Sequence, residues 1–181
     1  MRKGITWVGM DVHKASINLA MRVPGRQDLV ELEVANDARG LRRLLREVLK
    51  QAPGEVRCCY EAGACGFVLQ RALQAEQRVM CEVVAPALIP RKPGERVKTD
   101  RRDARKLCEL FEAGLLTEVY PPTAEQEAVR DLCRCREDLK EDRMRARHRL
   151  SKWLLRRGVT YPNNGRAWTR GYSQWLRSRR L

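Results

Sequence analysis

The pattern of apolar and polar positions predicts an α/β domain in the first two thirds of the chain. Apolar, β-favouring stretches at 5–12, 16–22 and 29–34 are separated by short turns, which predicts three strands in meander order. Two further apolar runs, at 56–60 and 80–84, alternate with helical patterns at 37–51 and from Phe67 onward. Strands that alternate with helices favour parallel pairing. Asn36 is the expected N-cap of the first helix.

The remaining pattern is helical. Prolines make residues 85–98 a loop, and a helix is expected from Asp100 to Gly114. Residues 124–156 contain neither Gly nor Pro, and their apolar residues recur at helical intervals, so a long helix capped by Thr123 is expected to run to about Arg157. We call this predicted helix the arm. A short amphipathic helix is expected around residues 168–176.

Charge separates the two parts of the chain. The formal net charge is +14, and residues 130–181 carry 16 Lys or Arg against 5 Asp or Glu. No acidic residue follows Asp142, so this segment repels itself unless a polyanion compensates it, and nucleic acid is the expected partner. An anionic membrane surface is the alternative, but the tail lacks a long apolar face. No membrane span or signal peptide is indicated, so a cytoplasmic protein without a membrane partner is expected.

Seven cysteines lie mostly inside apolar runs and lack the paired spacings of a zinc site. They are interpreted as reduced, small core residues. Cys133 and Cys135 are separated by a single residue, which does not favour a metal or redox role.

Four carboxylates have positions that suggest chemistry. Asp11 and Glu61 end predicted strands, and Asp100 and Asp103 lie three residues apart, on one face near a helix start. If the first and fourth strands are neighbours, all four converge, and their repulsion then requires cations. Hard oxygen ligands suit Mg²⁺, or alternatively Mn²⁺, and phosphoryl transfer on nucleic acid is the natural reaction. The alternative is that the acids merely end strands and favour a helix dipole.

Basic and aromatic residues accompany these acids. Cations around the paired aspartates and in the preceding loop are candidate phosphate ligands: Arg91, Lys92, Lys98, Arg101, Arg102 and Arg105. A second candidate set spreads around the arm and suits RNA or several strands, although a coiled-coil exterior is the alternative: Arg143, Arg145, Arg147, Arg149 and Lys152. His13 is interpreted as a surface or turn residue. Trp153 is expected to pack the arm against another subunit, whereas Trp168, Tyr172 and Trp175 either pack in that way or stack on unpaired bases.

Three motifs, Gly9-Met10-Asp11-Val12-His13-Lys14, Tyr60-Glu61-Ala62 and Lys98-Thr99-Asp100-Arg101-Arg102-Asp103-Ala104, occur in order. In these motifs the chain resembles the DEDD transposases of insertion sequences, the bridge-RNA-guided recombinases, over roughly residues 4–157. The resemblance implies an RNase H-like (RuvC-like) mixed sheet flanked by helices and followed by a long helical arm. It also implies that Asp11, Glu61, Asp100 and Asp103 are the catalytic, metal-coordinating acids.

The resemblance further implies a domain plan and partners. Residues 1–120 would form the RuvC-like domain, 121–158 the arm and 159–181 a basic tail. The serine nucleophile of these transposases belongs to a second, C-terminal domain, which is expected to be absent here. A structured guide RNA, DNA and a homo-oligomer, a dimer or tetramer joined through the arm, are the implied partners.

The function expected from the sequence is therefore that of a prokaryotic metal-dependent DNA transposase or recombinase. Two rivals remain at this stage. One is a Holliday-junction-type RuvC-like endonuclease, in which metal-activated water replaces the serine. The other is a non-catalytic RNA- or DNA-binding module, in which the carboxylates are structural remnants.

Overall fold

A computed structural model describes residues 4–90, 99–162 and 165–179. The chain divides between Pro122 and Thr123 into two compact units. In the described part of the chain, no helix combines the length and the apolar character needed to cross a membrane.

The first unit is built on a five-stranded mixed sheet. Its strands are β1 (Thr6–Val12), β2 (Ser16–Arg22), β3 (Val30–Ala35), β4 (Val56–Glu61) and β5 (Val79–Val84), in the order β3-β2-β1-β4-β5. The first three strands form an antiparallel meander, and β4 and β5 extend the sheet in parallel from β1. The meander and the parallel pairing are both as the sequence predicts.

Helices cover both faces of this sheet. Helices α1 (Ala38–Gln51) and α2 (Val68–Gln74) bury Leu44, Val48, Leu69 and Leu73 against one face. Helix α3 (Asp100–Glu112) packs on the opposite face through Ala104, Leu107, Cys108 and Phe111. The prediction of a mixed sheet flanked by helices, of the RNase H-like class, is confirmed.

The N-cap of α1 differs from the predicted one. The side chain of Asp37, not Asn36, accepts a hydrogen bond from the Gly40 amide at 2.7 Å. The side chain of Asn36 is used elsewhere, because its amide donates to the His13 carbonyl at 2.7 Å. Asn36 therefore ties the start of α1 to the loop that follows β1.

The second unit contains α4 (Ala124–Leu155) and α5 (Arg170–Arg177), so the predicted long helix is confirmed. The α4 N-terminus is closed by a capping box, in which Thr123 and Gln126 exchange hydrogen bonds between side chain and backbone. Residues 128–146 of α4 are all exposed.

Aromatic rings form the core of the second unit. Tyr161 lies 5.2 Å from Tyr172 and 5.1 Å from Trp175, and Trp168 lies 5.0 Å from Tyr172 between ring centroids. Tyr172 is buried. The rings thus pack on one another within this unit, an arrangement that neither of the two predicted roles includes.

The cysteines are free thiols in two different environments. Cys58, Cys59, Cys81 and Cys108 are buried, and Cys65 is half-buried, as expected for small core residues. Burial raises the pKa of the Cys108 thiol to about 11, so this thiol is protonated at neutral pH. Cys133 and Cys135 are exposed on α4, which corrects their interpretation as core residues.

Candidate metal centre

Helix α3 crosses β1 at Gly9, and this crossing positions the candidate site. A Cβ atom at Gly9 would lie 2.2 Å from the Cys108 backbone nitrogen and 2.4 Å from the Ala104 carbonyl oxygen, so only glycine permits this approach. Further along α3, the Phe111 ring packs edge-on against Trp7 at 5.1 Å. The helix therefore runs antiparallel to β1, and its first residue reaches the end of that strand.

Asp11 and Asp100 meet at this end of the sheet. Side chains alternate along a strand, so Asp11 lies on the same face as Gly9, beneath the first turn of α3. Thr99 caps that turn by accepting a hydrogen bond from the Arg102 amide, and Asp100 follows as the first helical residue. The crossing thus brings a strand-end carboxylate to a helix-start carboxylate.

His13 lies between these two carboxylates. Its Nε2 atom is 3.1 Å from an Asp11 oxygen and 3.5 Å from an Asp100 oxygen. In the described residues, one group of three side chains has ligand atoms that all lie within 4.8 Å of one another, and it consists of Asp11, His13 and Asp100. His13 was predicted to be a surface or turn residue and not part of the site. Its position two residues after Asp11 was the available signal, because side chains two residues apart in extended backbone face the same side.

The electrostatics of Asp11 are those of a carboxylate held among other acids. Burial raises the pKa of Asp11 above its ordinary value of 3.8, and the charges of Asp100 and Asp103 act in the same direction. The neighbouring His13 lowers that pKa through its charge and its hydrogen bond. The ionised carboxylates therefore oppose one another, and a cation among them would relieve that repulsion.

Asp103 and Glu61 lie around this group. Asp103 is in the first turn of α3, and its Oδ2 atom is buried. Met10 of β1 pairs with Tyr60 of β4, so Asp11 and Glu61 follow at neighbouring positions on the same face of the sheet. Glu61 is exposed. Neither Asp103 nor Glu61 belongs to the group within 4.8 Å.

The donor set fits a hard divalent cation. Carboxylate oxygens from two elements and one imidazole nitrogen converge at an open edge of the sheet, where Asp11 is one-fifth exposed and Asp100 is about half-exposed. Oxygen donors with access for water suit Mg²⁺ and Mn²⁺. The three residues thus form a possible acidic metal site.

The arginines of α3 are directed toward β3. Arg105 forms an ion pair with Glu31 of β3, and Arg101 lies 3.9 Å from the same carboxylate. Hydrogen bonding by Arg105 lowers the pKa of Glu31, so the pair is charged at neutral pH. Arg102 is exposed on the same helix. The predicted ligands Arg91, Lys92 and Lys98 lie outside the described residues.

Basic residues of α4 differ in their contacts with other residues. Arg145 forms ion pairs with Glu141 at 3.2 Å and with Asp142 at 2.6 Å. The Arg147 guanidinium lies over the Trp168 ring, 5.2 Å from its centroid. Arg143, Arg149 and Lys152 are exposed, and the Arg149 side chain donates to the Arg145 carbonyl at 3.4 Å. The helix thus presents positive charge around much of its circumference.

Comparison with known proteins identifies the relatives of this chain. A family model described as Transposase, for DEDD transposases of the IS110 type, matches residues 8–157. The y4qE protein of Sinorhizobium fredii, which is named as a transposase, is 41% identical over 172 residues, which cover 94% of this chain and 43% of that protein. The transposase for insertion sequence element IS1533 of Leptospira borgpetersenii is 36% identical over 172 residues, 94% of this chain and 49% of its own length. The chain therefore spans about half the length of the curated relatives it matches.

Proposed function

Because the chain belongs to the IS110-type DEDD transposase family, we propose that it forms the metal-binding catalytic part of a DNA transposase, which cleaves DNA and transfers the strand. The observation that carries this proposal is the convergence of Asp11 and Asp100 beneath the Gly9 crossing, with Asp103 close enough to raise the pKa of Asp11. The family motif and the geometry have Asp11 and Asp100 in common, and this overlap supports the proposal.

Asp11, Glu61, Asp100 and Asp103 are the proposed ligands of Mg²⁺, with Mn²⁺ as an alternative. A bound divalent cation would polarise a phosphate oxygen and stabilise charge on the attacking and leaving oxygens. Asp11 is held by β1 and Asp100 by the capped start of α3, so the two carboxylates are oriented before substrate arrives. Such preorganisation limits the reorganisation required during the reaction.

The nucleic-acid partners are proposed from charge. The candidate DNA and RNA ligands are the exposed Arg143, Arg149 and Lys152 of α4 and Arg102 of α3. Most of the candidates predicted from the sequence already contact other residues of the chain and would exchange or share these contacts on binding: Arg101, Arg102, Arg105, Arg145, Arg147 and Arg149. A structured guide RNA is the proposed second nucleic acid, since positive charge around a helix suits more than one strand.

The proposed organisation of the chain has three segments, and association is proposed through the second unit. Residues 1–120 would act as the catalytic domain, 121–158 as the arm and 159–181 as a basic tail. Exposed apolar residues along α4, such as Val129, Leu132 and Leu139, support association of arms in a dimer or tetramer.

The experiment is a calorimetric titration of Mg²⁺ and Mn²⁺ into the chain with DNA present, repeated for Asp11→Asn and Asp103→Asn. Asp131→Asn, which changes an exposed carboxylate of α4, is the matched control. Loss of metal binding in the first two variants and retention in the control is expected. Equal heats in all four proteins would contradict the metal site and leave a nucleic-acid-binding module.

A further inference from the structure

We propose that His13 is an additional ligand of the metal centre, and that its nitrogen makes the site favour Mn²⁺ over Mg²⁺. This inference rests on the proposed function, because it requires that Asp11 and Asp100 hold a divalent cation. The observation behind it is that one imidazole nitrogen contacts carboxylates from two separate elements, Asp11 of β1 and Asp100 of α3.

The backbone holds His13 in this position from both sides. Its amide donates to the Ser16 carbonyl at 2.8 Å, and its carbonyl accepts from the Asn36 side chain at 2.7 Å. The backbone atoms of His13 are thus fixed by β2 on one side and by the start of α1 on the other. The fold therefore sets the position of the His13 backbone beside the two carboxylates.

The distances match those between ligands of one ion. An octahedral cation with bonds of about 2.1 Å separates adjacent donor atoms by about 3.0 Å. His13 Nε2 lies 3.1 Å from Asp11 and 3.5 Å from Asp100, so small side-chain rotations bring all three donors to that spacing. The half-exposed imidazole leaves the remaining positions open to water and phosphate.

A nitrogen ligand changes which cation the site prefers. Carboxylates and water satisfy Mg²⁺, whereas imidazole contributes more to the binding of first-row transition metals. A site of oxygens alone would discriminate weakly between Mg²⁺ and Mn²⁺. Addition of the His13 nitrogen therefore strengthens Mn²⁺ binding more than Mg²⁺ binding.

The alternative is that the imidazole is only a hydrogen-bond partner of the carboxylates. In that arrangement it occupies the space that a cation would take, and a cation must displace it. The two arrangements predict opposite effects of removing the ring. If His13 is a metal ligand, its removal weakens metal binding. If His13 competes with the metal for the carboxylates, its removal strengthens metal binding.

The experiment uses the full 181-residue chain without nucleic acid, with Mn²⁺ and Mg²⁺ as the probes. Calorimetry gives the two affinities, and pulsed EPR of bound Mn²⁺ detects nitrogen coupled to the metal. The variants are His13→Ala and His13→Gln, which offers an oxygen in place of the nitrogen. His148→Ala changes the other histidine of the chain, on α4, and is the matched control. Circular dichroism checks that each variant is folded.

We expect nitrogen coupling in the unmodified chain and in His148→Ala, and its loss in both His13 variants. The Mn²⁺ Kd should rise about tenfold or more in His13→Ala, by analogy with the loss of groups that support metal ligands. The Mg²⁺ Kd should rise less, and His13→Gln should recover Mg²⁺ binding better than Mn²⁺ binding.

Asp11→Asn separates the two ways in which the account can fail. If Asp11→Asn abolishes Mn²⁺ binding while His13→Ala leaves it unchanged or tighter, the metal centre stands and the role of His13 is overturned. If the unmodified chain binds no Mn²⁺, the metal centre and the role of His13 are both overturned.

Discussion

Replacement of Gly9 by alanine tests whether the close approach of α3 to β1 positions the metal centre. The new Cβ atom would lie 2.2 Å from the Cys108 nitrogen, whereas ordinary van der Waals contact begins at 3.4 Å. The obstacle is helix backbone, so no side-chain rotation relieves it. Helix α3 must therefore retreat by about 1.2 Å or tilt, and Asp100 and Asp103 move with it.

The magnitude follows from two opposing effects. Overpacking of a core costs about 1–3 kcal/mol, and a clash with backbone belongs at the upper end of that range. Alanine also restricts the unfolded chain, which stabilises the folded state by only about 0.4–1 kcal/mol. The net loss in the free energy of unfolding is expected to be about 2 kcal/mol or more. Misplacement of the carboxylates by about 1 Å should weaken Mn²⁺ binding as well.

Leu73→Ala is the matched control. Leu73 of α2 is buried on the face of the sheet opposite α3, so this variant should also lose about 2–5 kcal/mol without moving α3. The assays are urea denaturation followed by circular dichroism, and calorimetric titration of Mn²⁺ at a temperature where both variants are folded. Both variants should be destabilised, and only Gly9→Ala should bind Mn²⁺ more weakly. The reasoning is refuted if Gly9→Ala loses less than about 1 kcal/mol or keeps the original Mn²⁺ affinity.

Three further predictions concern charge and packing. Burial raises the pKa of Asp11, so its contribution to the stability of the metal-free chain is fully present below pH 3.8 and is lost as the pH rises through the raised pKa. At pH 7 Asp11→Asn should therefore be at least as stable as the unmodified chain in urea denaturation, and a clear loss of stability would contradict this. Glu31→Gln should release Arg105 and raise DNA affinity at low salt in a fluorescence anisotropy titration, whereas an unchanged affinity would exclude Arg105 as a phosphate ligand. Tyr172→Ala should destabilise the second unit by about 3–5 kcal/mol. Urea denaturation followed by tryptophan fluorescence should show a lower midpoint, and an unshifted midpoint would show that the aromatic cluster is not the core of the second unit.

Several parts of the fold could be predicted because they depend on local sequence. Apolar stretches between turn residues locate the strands, and helical spacing locates the helices. The predicted start of α3 at Asp100 and the predicted cap Thr123 of α4 are both confirmed. The mixed sheet follows from short turns between the first strands and helical connections between the later ones. The predicted N-cap of α1 was wrong by one residue, because the side chain of Asn36 donates to the His13 carbonyl and Asp37 caps the helix.

The site was only partly predictable, because its remaining parts depend on contacts between distant elements. A glycine inside an apolar strand does not reveal from sequence that a helix crosses there, so the role of Gly9 emerges only from the packing of α3. The environment of His13 depends on the same crossing, which brings Asp100 to the end of β1. The Arg105–Glu31 pair joins residues 74 positions apart, and no local pattern indicates it.

The most direct test of the central claim is anomalous diffraction from crystals of the chain soaked in Mn²⁺. The account predicts a manganese peak at the end of β1, about 2.1 Å from oxygens of Asp11 and Asp100. Crystals of Asp11→Asn treated in the same way should lack that peak. A peak that persists in Asp11→Asn, or manganese bound only elsewhere on the chain, would contradict the proposed metal centre.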